Sequence, residues 1–99
     1  NRPDCLSMIG MARETGAVLD RDTHIELPEL VEDDRDVNAL VDVKIEDPEL
    51  CSRYVARVIS GVKIAPSPEW LAKRVIAAGS RPINNVVDVT NYVMYLRPG

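Results

Sequence analysis

The sequence predicts an α+β fold, because helical and strand-like patterns of apolar residues occupy separate stretches of the chain. Apolar residues recur every three to four positions in 5–19, alternate with polar residues in 37–64, and return to helical spacing in 67–96. The predicted order is a helix, an acidic connector, a pair of strands resembling a β-hairpin, and two helices. With 99 residues, of which 45% are hydrophobic and 28% charged, the chain suits one small domain or part of a larger one.

The first predicted helix begins at Cys5, with Asp4 as the N-cap that accepts from its free backbone amides. Gly10 and Gly16 lie inside this helix, where each glycine costs about 1 kcal/mol relative to alanine. Two such residues in one helix predict that another segment approaches its backbone closely, and the alternative is a mobile helix. The segment that contains this helix is assigned to residues 1–19.

An acidic connector is predicted at 20–36, which holds eight Asp and Glu residues and is interrupted by Pro28. The only histidine, His24, stands here between Asp22 and Glu26. A metal site is conceivable for this group, but one imidazole among surface carboxylates is a weak signal. We expect a solvated loop and no metal site.

Period-two alternation predicts two half-buried strands, at 37–45 and 53–64, separated by a break at Pro48. Gly61, within the second run, suggests a bulge or bend. The short separation favours antiparallel pairing of the two strands.

A second helix is predicted after Ser67, its N-cap, with Pro68 at the first helical position and Gly79 as the stop. Trp70, the only tryptophan, is expected to be a packing residue, either in the core or half-buried. Base stacking is the alternative, although no basic cluster in the sequence supports it. The predicted apolar face comprises Leu71, Val75 and Ala78.

The last predicted helix carries the polar cluster that stands out in this chain. The β-branched residues of 86–90 also suit a strand, but the longer spacing of the apolar residues favours a helix. Asn84 or Asn85 can cap it, and Asn84, Asp88 and Asn91 fall three to four positions apart, hence on one face. Thr90 adds a hydroxyl beside the Asn91 amide. Such a face can hold a ligand, a water or backbone groups by hydrogen bonds, and the spacing alone leaves these alternatives open.

Composition limits the remaining classes of function. A net charge of −4 argues against a stand-alone nucleic-acid binder, and Cys5 and Cys51 are too few for a disulfide framework. No Gly-rich phosphate loop, His-Glu-x-x-His pair or nucleophile elbow is present. No apolar run approaches the roughly 20 residues that span a bilayer, so we expect a cytoplasmic protein with no membrane or DNA partner.

A family resemblance covers nearly the whole chain apart from the acidic connector. Its stretches are Asn-Arg-Pro-Asp-Cys-Leu-Ser at 1–7, Ile-Glu-Asp-Pro-Glu-Leu-Cys at 45–51, Arg-Tyr at 53–54, Pro-Ser-Pro-Glu-Trp-Leu at 66–71 and Arg-Pro-Ile-Asn-Asn-Val-Val-Asp-Val-Thr-Asn-Tyr-Val-Met at 81–94. Together these stretches resemble the β subunits of bacterial phenylalanyl-tRNA synthetases. The end of the chain, 95–99, departs from the Leu-Glu-Leu-Gly expected after Val-Met.

The resemblance implies the organisation of the chain and the role of the whole enzyme. Residues 1–19 would link from a preceding domain, 20–36 would be the connector, and 37–99 would begin the B3/B4 editing domain. The family attaches phenylalanine to tRNA(Phe) with ATP and Mg²⁺, as an (αβ)₂ heterotetramer whose synthetic site lies in the α subunit. We therefore expect this region to bind no cofactor itself.

The resemblance also assigns site residues. The editing domain hydrolyses tyrosine wrongly attached to tRNA(Phe), and the family's Thr-Asn pair, which lines the pocket, falls on Thr90 and Asn91. Asn84, Asn85 and Asp88 are expected to support that pocket. The family's Gln-Pro-x-His histidine is not in this sequence, so no catalytic residue is predicted here and the 99-residue chain alone is expected to be inactive. The alternative is a non-catalytic module that binds protein or RNA.

Overall fold

The computed structural model describes residues 1–97, in which three α-helices and two short 3₁₀ helices form. The 3₁₀ helices are Pro3–Leu6 and Val37–Ala39, and the α-helices are α1 (Met8–Leu19), α2 (Glu69–Ala77) and α3 (Asn85–Leu96). Two compact units are present, one formed by Pro28–Val62 and the other by Asn1–Leu27 together with the chain from Lys63. The last two positions of the predicted 37–99 domain lie outside the described residues.

The predicted pair of strands is wrong, because no β-strand occurs anywhere in residues 1–97. The first run opens instead with the 3₁₀ helix Val37–Ala39, for which the Asp36 carboxylate accepts from the Asn38 amide at 2.9 Å. In the second run Tyr54 and Val55, neighbours of opposite parity, are 64% and 68% exposed. Neither side of this segment is covered, and an isolated two-stranded hairpin is only marginally stable in water. The α+β class is therefore replaced, for these residues, by helices joined by irregular segments.

Helix α1 begins later than predicted. The chain from Pro3 to Leu6 turns as a 3₁₀ helix, so α1 does not begin at Cys5. Ser7 is the N-cap, and its hydroxyl accepts from the Gly10 amide at 3.0 Å. The predicted cap, Asp4, instead binds the Arg2 guanidinium at 2.8 Å.

Arg2 joins the 3₁₀ helix to α1 through two carboxylates. Besides Asp4, it contacts Glu14 at 2.7 Å. The guanidinium hydrogen bonds to the carboxylate hold the pKa of Asp4 below its ordinary value. All three side chains are solvent-exposed, so this cluster orients the segment more than it stabilises it.

The prediction that the two glycines of α1 allow close approach is confirmed. A β-carbon on Gly10 would collide with the carbonyl oxygen of Asp4. One on Gly16 would lie 2.6 Å from the Thr23 hydroxyl and 2.7 Å from the Arg21 carbonyl oxygen. The glycines therefore let the chain fold back against both ends of α1, which offsets their low helix propensity.

Helix α2 buries two of the three residues of the predicted apolar face, since Leu71 and Val75 are each 1% exposed. The third, Ala78, is half-buried at the C-cap that follows the helix. Its predicted end is also confirmed, because Gly79 has a φ of 91° and its amide donates to the Ile76 carbonyl at 2.9 Å. The Ser80 amide donates to the Val75 carbonyl at 3.0 Å, which completes a Schellman motif. Helices α2 and α3 pack against each other, and α1 also contacts α3.

Few apolar side chains are buried. Leu71 and Val75 form the buried apolar core of residues 1–97, whereas Val86, Val89 and Val93 on α3 are each nearly half exposed. Polar contacts must therefore fix much of the local geometry. No helix in residues 1–97 has the length and apolarity needed to cross a bilayer.

The close approach at Gly10 can be tested by adding one methyl group. Helix propensity alone predicts that Gly10→Ala stabilises α1 by about 1 kcal/mol. Because the methyl group would collide with Asp4, we expect a loss of roughly 1–3 kcal/mol in the free energy of unfolding, measured by urea titration with far-ultraviolet circular dichroism. Ala17→Gly, at an exposed position of the same helix, calibrates propensity alone. A gain in stability from Gly10→Ala would contradict the packing.

Candidate functional site

The polar cluster predicted from the sequence occupies the first half of α3. Asn84 is the N-cap of this helix, as the sequence allowed, and its side-chain oxygen accepts from the amides of Val86 and Val87 at 3.0 and 2.9 Å. The cap satisfies two of the four amides that a helix leaves without intrahelical partners. The Asn84 side chain is therefore occupied in capping α3.

Asn85 holds the extended segment that precedes α2. Its side-chain oxygen accepts from the Ala65 amide at 3.2 Å, and its side-chain nitrogen donates to the Lys63 carbonyl at 2.9 Å. The backbone amide of Asn85 adds a third bond, to the Ala65 carbonyl at 2.9 Å. Asn85 thus hydrogen-bonds to the backbone of a segment about 20 positions earlier, much as a neighbouring strand would.

Asp88 is fully buried and ties the two helix entrances together. One carboxylate oxygen accepts from the Ser67 hydroxyl at 2.5 Å, and the other accepts from the Ile83 amide at 2.9 Å. A buried carboxylate is costly unless it is hydrogen-bonded, and these two bonds together with the positive end of α3 satisfy it. The prediction that Ser67 caps α2 is wrong, because Pro68 occupies the N-cap and the Ser67 hydroxyl is directed to Asp88.

Thr90 and Asn91 lie one turn further along α3. Thr90 is exposed, and its hydroxyl donates to the Val87 carbonyl at 2.7 Å. That bond uses the only donor of the hydroxyl, so its oxygen can act only as an acceptor toward a ligand. Asn91 is half-buried, and its side-chain amide makes no hydrogen bond within residues 1–97. It therefore keeps two donors and one acceptor for other groups.

The structure thus divides the five predicted residues into two groups. The side chains of Asn84, Asn85 and Asp88 bond to the chain itself and set the position of α3, whereas Thr90 and Asn91 retain capacity for a ligand. An apolar groove of 320 Å³ lies beside this helix, and neither Thr90 nor Asn91 is among the residues that line it. Its lining residues are Met8, Arg74, Val75, Ala77, Ala78, Tyr92, Tyr95 and Leu96.

A second cluster, which we call the aromatic cluster, comprises Trp70, Arg74 and Tyr92. The two rings meet edge to face, with centroids 5.6 Å apart and planes at 86°. The guanidinium carbon of Arg74 lies 5.8 Å from the Trp70 centroid and 5.7 Å from that of Tyr92, and its Nη1 donates to the Tyr92 hydroxyl at 2.8 Å. Sequence reasoning missed this cluster, although Trp70 and Arg74 stand four positions apart on a predicted helix.

The donor set for a metal ion is sparse. Within residues 1–97, no group of three or more His, Cys, Asp or Glu side chains is gathered to hold one. His24 is exposed in the segment that follows α1. The cysteines are free thiols, Cys5 half-buried and Cys51 exposed.

Comparison with known proteins gives the family. The model of the B3/4 domain matches residues 50–97. Phenylalanine–tRNA ligase β subunits from Syntrophotalea carbinolica, Geobacter sulfurreducens and Thermotoga maritima are 52%, 54% and 52% identical to the chain over 94 residues. The chain belongs to the family of phenylalanine–tRNA ligase β subunits. The resemblance predicted from the sequence motifs is therefore confirmed.

The extent of these matches is uneven. Each covers 95% of this chain but 12% of the relative's length, so the chain spans about one eighth of those β subunits. The B3/4 match begins inside the predicted 37–99 domain and includes α2, α3 and all five candidate residues. No solved structure gave a significant match.

The buried carboxylate predicts a specific energetic coupling. Asp88→Ala leaves the Ser67 hydroxyl and the Ile83 amide without their acceptor, at about 1–3 kcal/mol for each orphaned group. We expect the loss to shrink when Ser67→Ala is already present, with a coupling of roughly 0.5–3 kcal/mol in a double-mutant cycle measured by urea unfolding.

The matched control for this cycle is Thr90→Val, which removes an exposed hydroxyl bond on the same helix and should change stability by no more than about 0.5 kcal/mol. If the losses in the free energy of unfolding caused by Asp88→Ala and Ser67→Ala were strictly additive, the proposed coupling between the starts of α2 and α3 would be contradicted.

Proposed function

We propose that the chain supplies one wall of a hydrolytic editing pocket in a phenylalanine–tRNA ligase β subunit. The substrate is tyrosine wrongly esterified to tRNA(Phe). One observation carries the proposal: Asn91 offers a half-buried amide with free hydrogen-bonding capacity beside Thr90, in a stretch that matches the B3/4 domain. The family resemblance assigns pocket roles to these same two positions.

The need for a second site follows from the limits of apolar discrimination. A pocket that merely accommodates an apolar side chain rejects an added hydroxyl by only about 10²-fold. Tyrosine differs from phenylalanine by one such hydroxyl. A separate pocket that hydrogen-bonds this group can select the wrong product by the opposite criterion, and hydrolysis there restores accuracy.

The two residues suit different roles in ester hydrolysis. The reaction is attack of water on the aminoacyl ester, during which negative charge develops on the carbonyl oxygen. The Asn91 amide can donate to that oxygen. Thr90, whose proton is committed to the Val87 carbonyl, can accept a hydrogen bond from the attacking water or from the substrate. Neither side chain supplies a general base, so this chain orients and stabilises rather than exchanging protons.

The partners and cofactors of the whole enzyme belong to this proposal. They are an α subunit in an (αβ)₂ assembly, tRNA(Phe), and ATP with Mg²⁺ at a synthetic site elsewhere, in the cytoplasm. Residues 1–97 do not gather a donor set for Mg²⁺, and the roles proposed for Thr90 and Asn91 require neither ATP nor the metal. The isolated 99-residue chain is expected to be inactive.

A non-catalytic interaction module is the second candidate function. The observation that favours it is the commitment of Asn84, Asn85 and Asp88 to local structure, which leaves fewer polar groups for chemistry. In that case Thr90 and Asn91 would be surface groups with no effect on product accuracy.

Substitution in the assembled ligase separates the two candidates. We expect Asn91→Ala to slow hydrolysis of tyrosyl-tRNA(Phe) by roughly 10²–10³-fold, the usual loss for one oxyanion donor. Thr90→Val should slow it as well, and Thr90→Ser should retain more activity because the hydroxyl remains. The measurement is the rate of tyrosine release from preformed tyrosyl-tRNA(Phe), with phenylalanine charging followed in parallel.

The control is Thr15→Val, which removes an exposed threonine hydroxyl from α1. It should leave both rates unchanged. An unaltered tyrosine-to-phenylalanine product ratio in both Thr90→Val and Asn91→Ala would exclude the pocket role and favour the interaction module.

A further inference from the structure

The aromatic cluster combines an exposed ring with a fixed cation. Trp70 leaves 55% of its surface exposed although its ring packs against Tyr92. The edge-to-face contact and the Arg74 guanidinium hold the indole in one orientation.

Arg74 keeps its positive charge available. Within residues 1–97 it forms no ion pair with a carboxylate, and its one side-chain hydrogen bond goes to the Tyr92 hydroxyl. Lys73, the preceding residue on α2, is instead paired with Glu69 at 2.6 Å. A guanidinium held against two rings without a neutralising acid is suited to a negatively charged or π-rich ligand.

Charge is segregated along the chain. Residues 1–62 contain seven Lys and Arg but fourteen Asp and Glu, a net charge of −7. From residue 63 onward there are five Lys and Arg against two Asp and Glu, a net charge of +3, and one of those acids is the fully buried Asp88. The overall charge of −4 therefore conceals a positively charged segment from residue 63 onward, to which the sequence-based argument against nucleic-acid contact does not apply. Within the two helices Lys73 and Arg74 balance Glu69 and Asp88, so the excess positive charge comes from Lys63, Arg81 and Arg97 in the flanking segments.

We propose that the aromatic cluster is a stacking platform for an unpaired nucleotide of tRNA. Exposed aromatic rings stack single-stranded bases, and an adjacent arginine adds cation–π and phosphate contacts. The proposal rests on the proposed function in taking tRNA as the polyanion. Tyr92 directly follows Asn91 on α3, so the same helix carries part of the aromatic cluster and a residue of the candidate pocket.

The test uses the assembled ligase and unmodified tRNA(Phe), with the dissociation constant measured at several salt concentrations. Trp70→Leu keeps an apolar side chain but removes the ring, whereas Trp70→Phe keeps a ring. We expect Trp70→Leu to weaken binding by roughly 5- to 140-fold, which corresponds to the loss of one stacked base. Trp70→Phe should retain most of the affinity. Arg74→Gln should weaken binding and reduce the magnitude of the salt-dependence slope by about 0.7.

The matched control is Ile76→Ala, another exposed apolar residue of α2, which should not alter affinity for tRNA. Equal affinities for the wild-type ligase and Trp70→Leu would overturn the platform. So would equal losses in Trp70→Phe and Trp70→Leu. A lower thermal midpoint of the assembly with unchanged tRNA affinity would show instead that Trp70 serves a protein contact.

The two proposals can fail separately. If Trp70→Leu weakens tRNA binding while Asn91→Ala leaves hydrolysis of tyrosyl-tRNA(Phe) intact, the platform stands and the pocket assignment fails. If Asn91→Ala slows hydrolysis while Trp70→Leu leaves the dissociation constant unchanged, the pocket stands and the platform fails.

Discussion

The buried carboxylate of Asp88 is the interaction on which the pairing of α2 and α3 depends. It accepts from Ser67, two residues before α2 begins, and from Ile83, two residues before α3 begins. Two buried apolar side chains, at about 1.5–3 kcal/mol each, offer limited packing energy and little directional information. Two hydrogen bonds to one buried carboxylate supply direction, because each requires its donor at a defined place.

Local hydrogen bonds around α3 distinguish the side chains that fix the structure from those that remain able to bind a ligand. Asn84 caps the helix and Asn85 holds the segment before α2, so the first turn is occupied by bonds within the chain. The next turn carries Thr90, which can only accept, and Asn91, which can donate and accept. Thr90 and Asn91 thus form a complementary pair of polar groups on a regular helix whose start is capped, and a helix positions a site better than a loop does.

The parts of the fold that sequence reasoning predicted depend on neighbours along the chain. The Asn84 cap, the Gly79 stop and the apolar face of α2 arise from interactions within four or five residues, which spacing records directly. The strand pair failed because alternation predicts a strand only where another layer covers its apolar side, and Tyr54 remains exposed. The bond between Ser67 and Asp88 spans 21 positions, and no periodicity encodes such a contact.

The arrangement also determines how losses of function must be interpreted. Asp88 lies in the predicted polar cluster, yet its carboxylate is buried and already bonded, so it cannot meet a substrate without breaking those bonds. A substitution there would move Asn91 and Tyr92 together, because both are carried by the helix that Asp88 positions. Loss of editing in such a variant would identify a positioning residue. A variant that changes only the rate of hydrolysis or only the affinity for tRNA must therefore carry its substitution at a residue that leaves the hydrogen bonds of Asp88 intact.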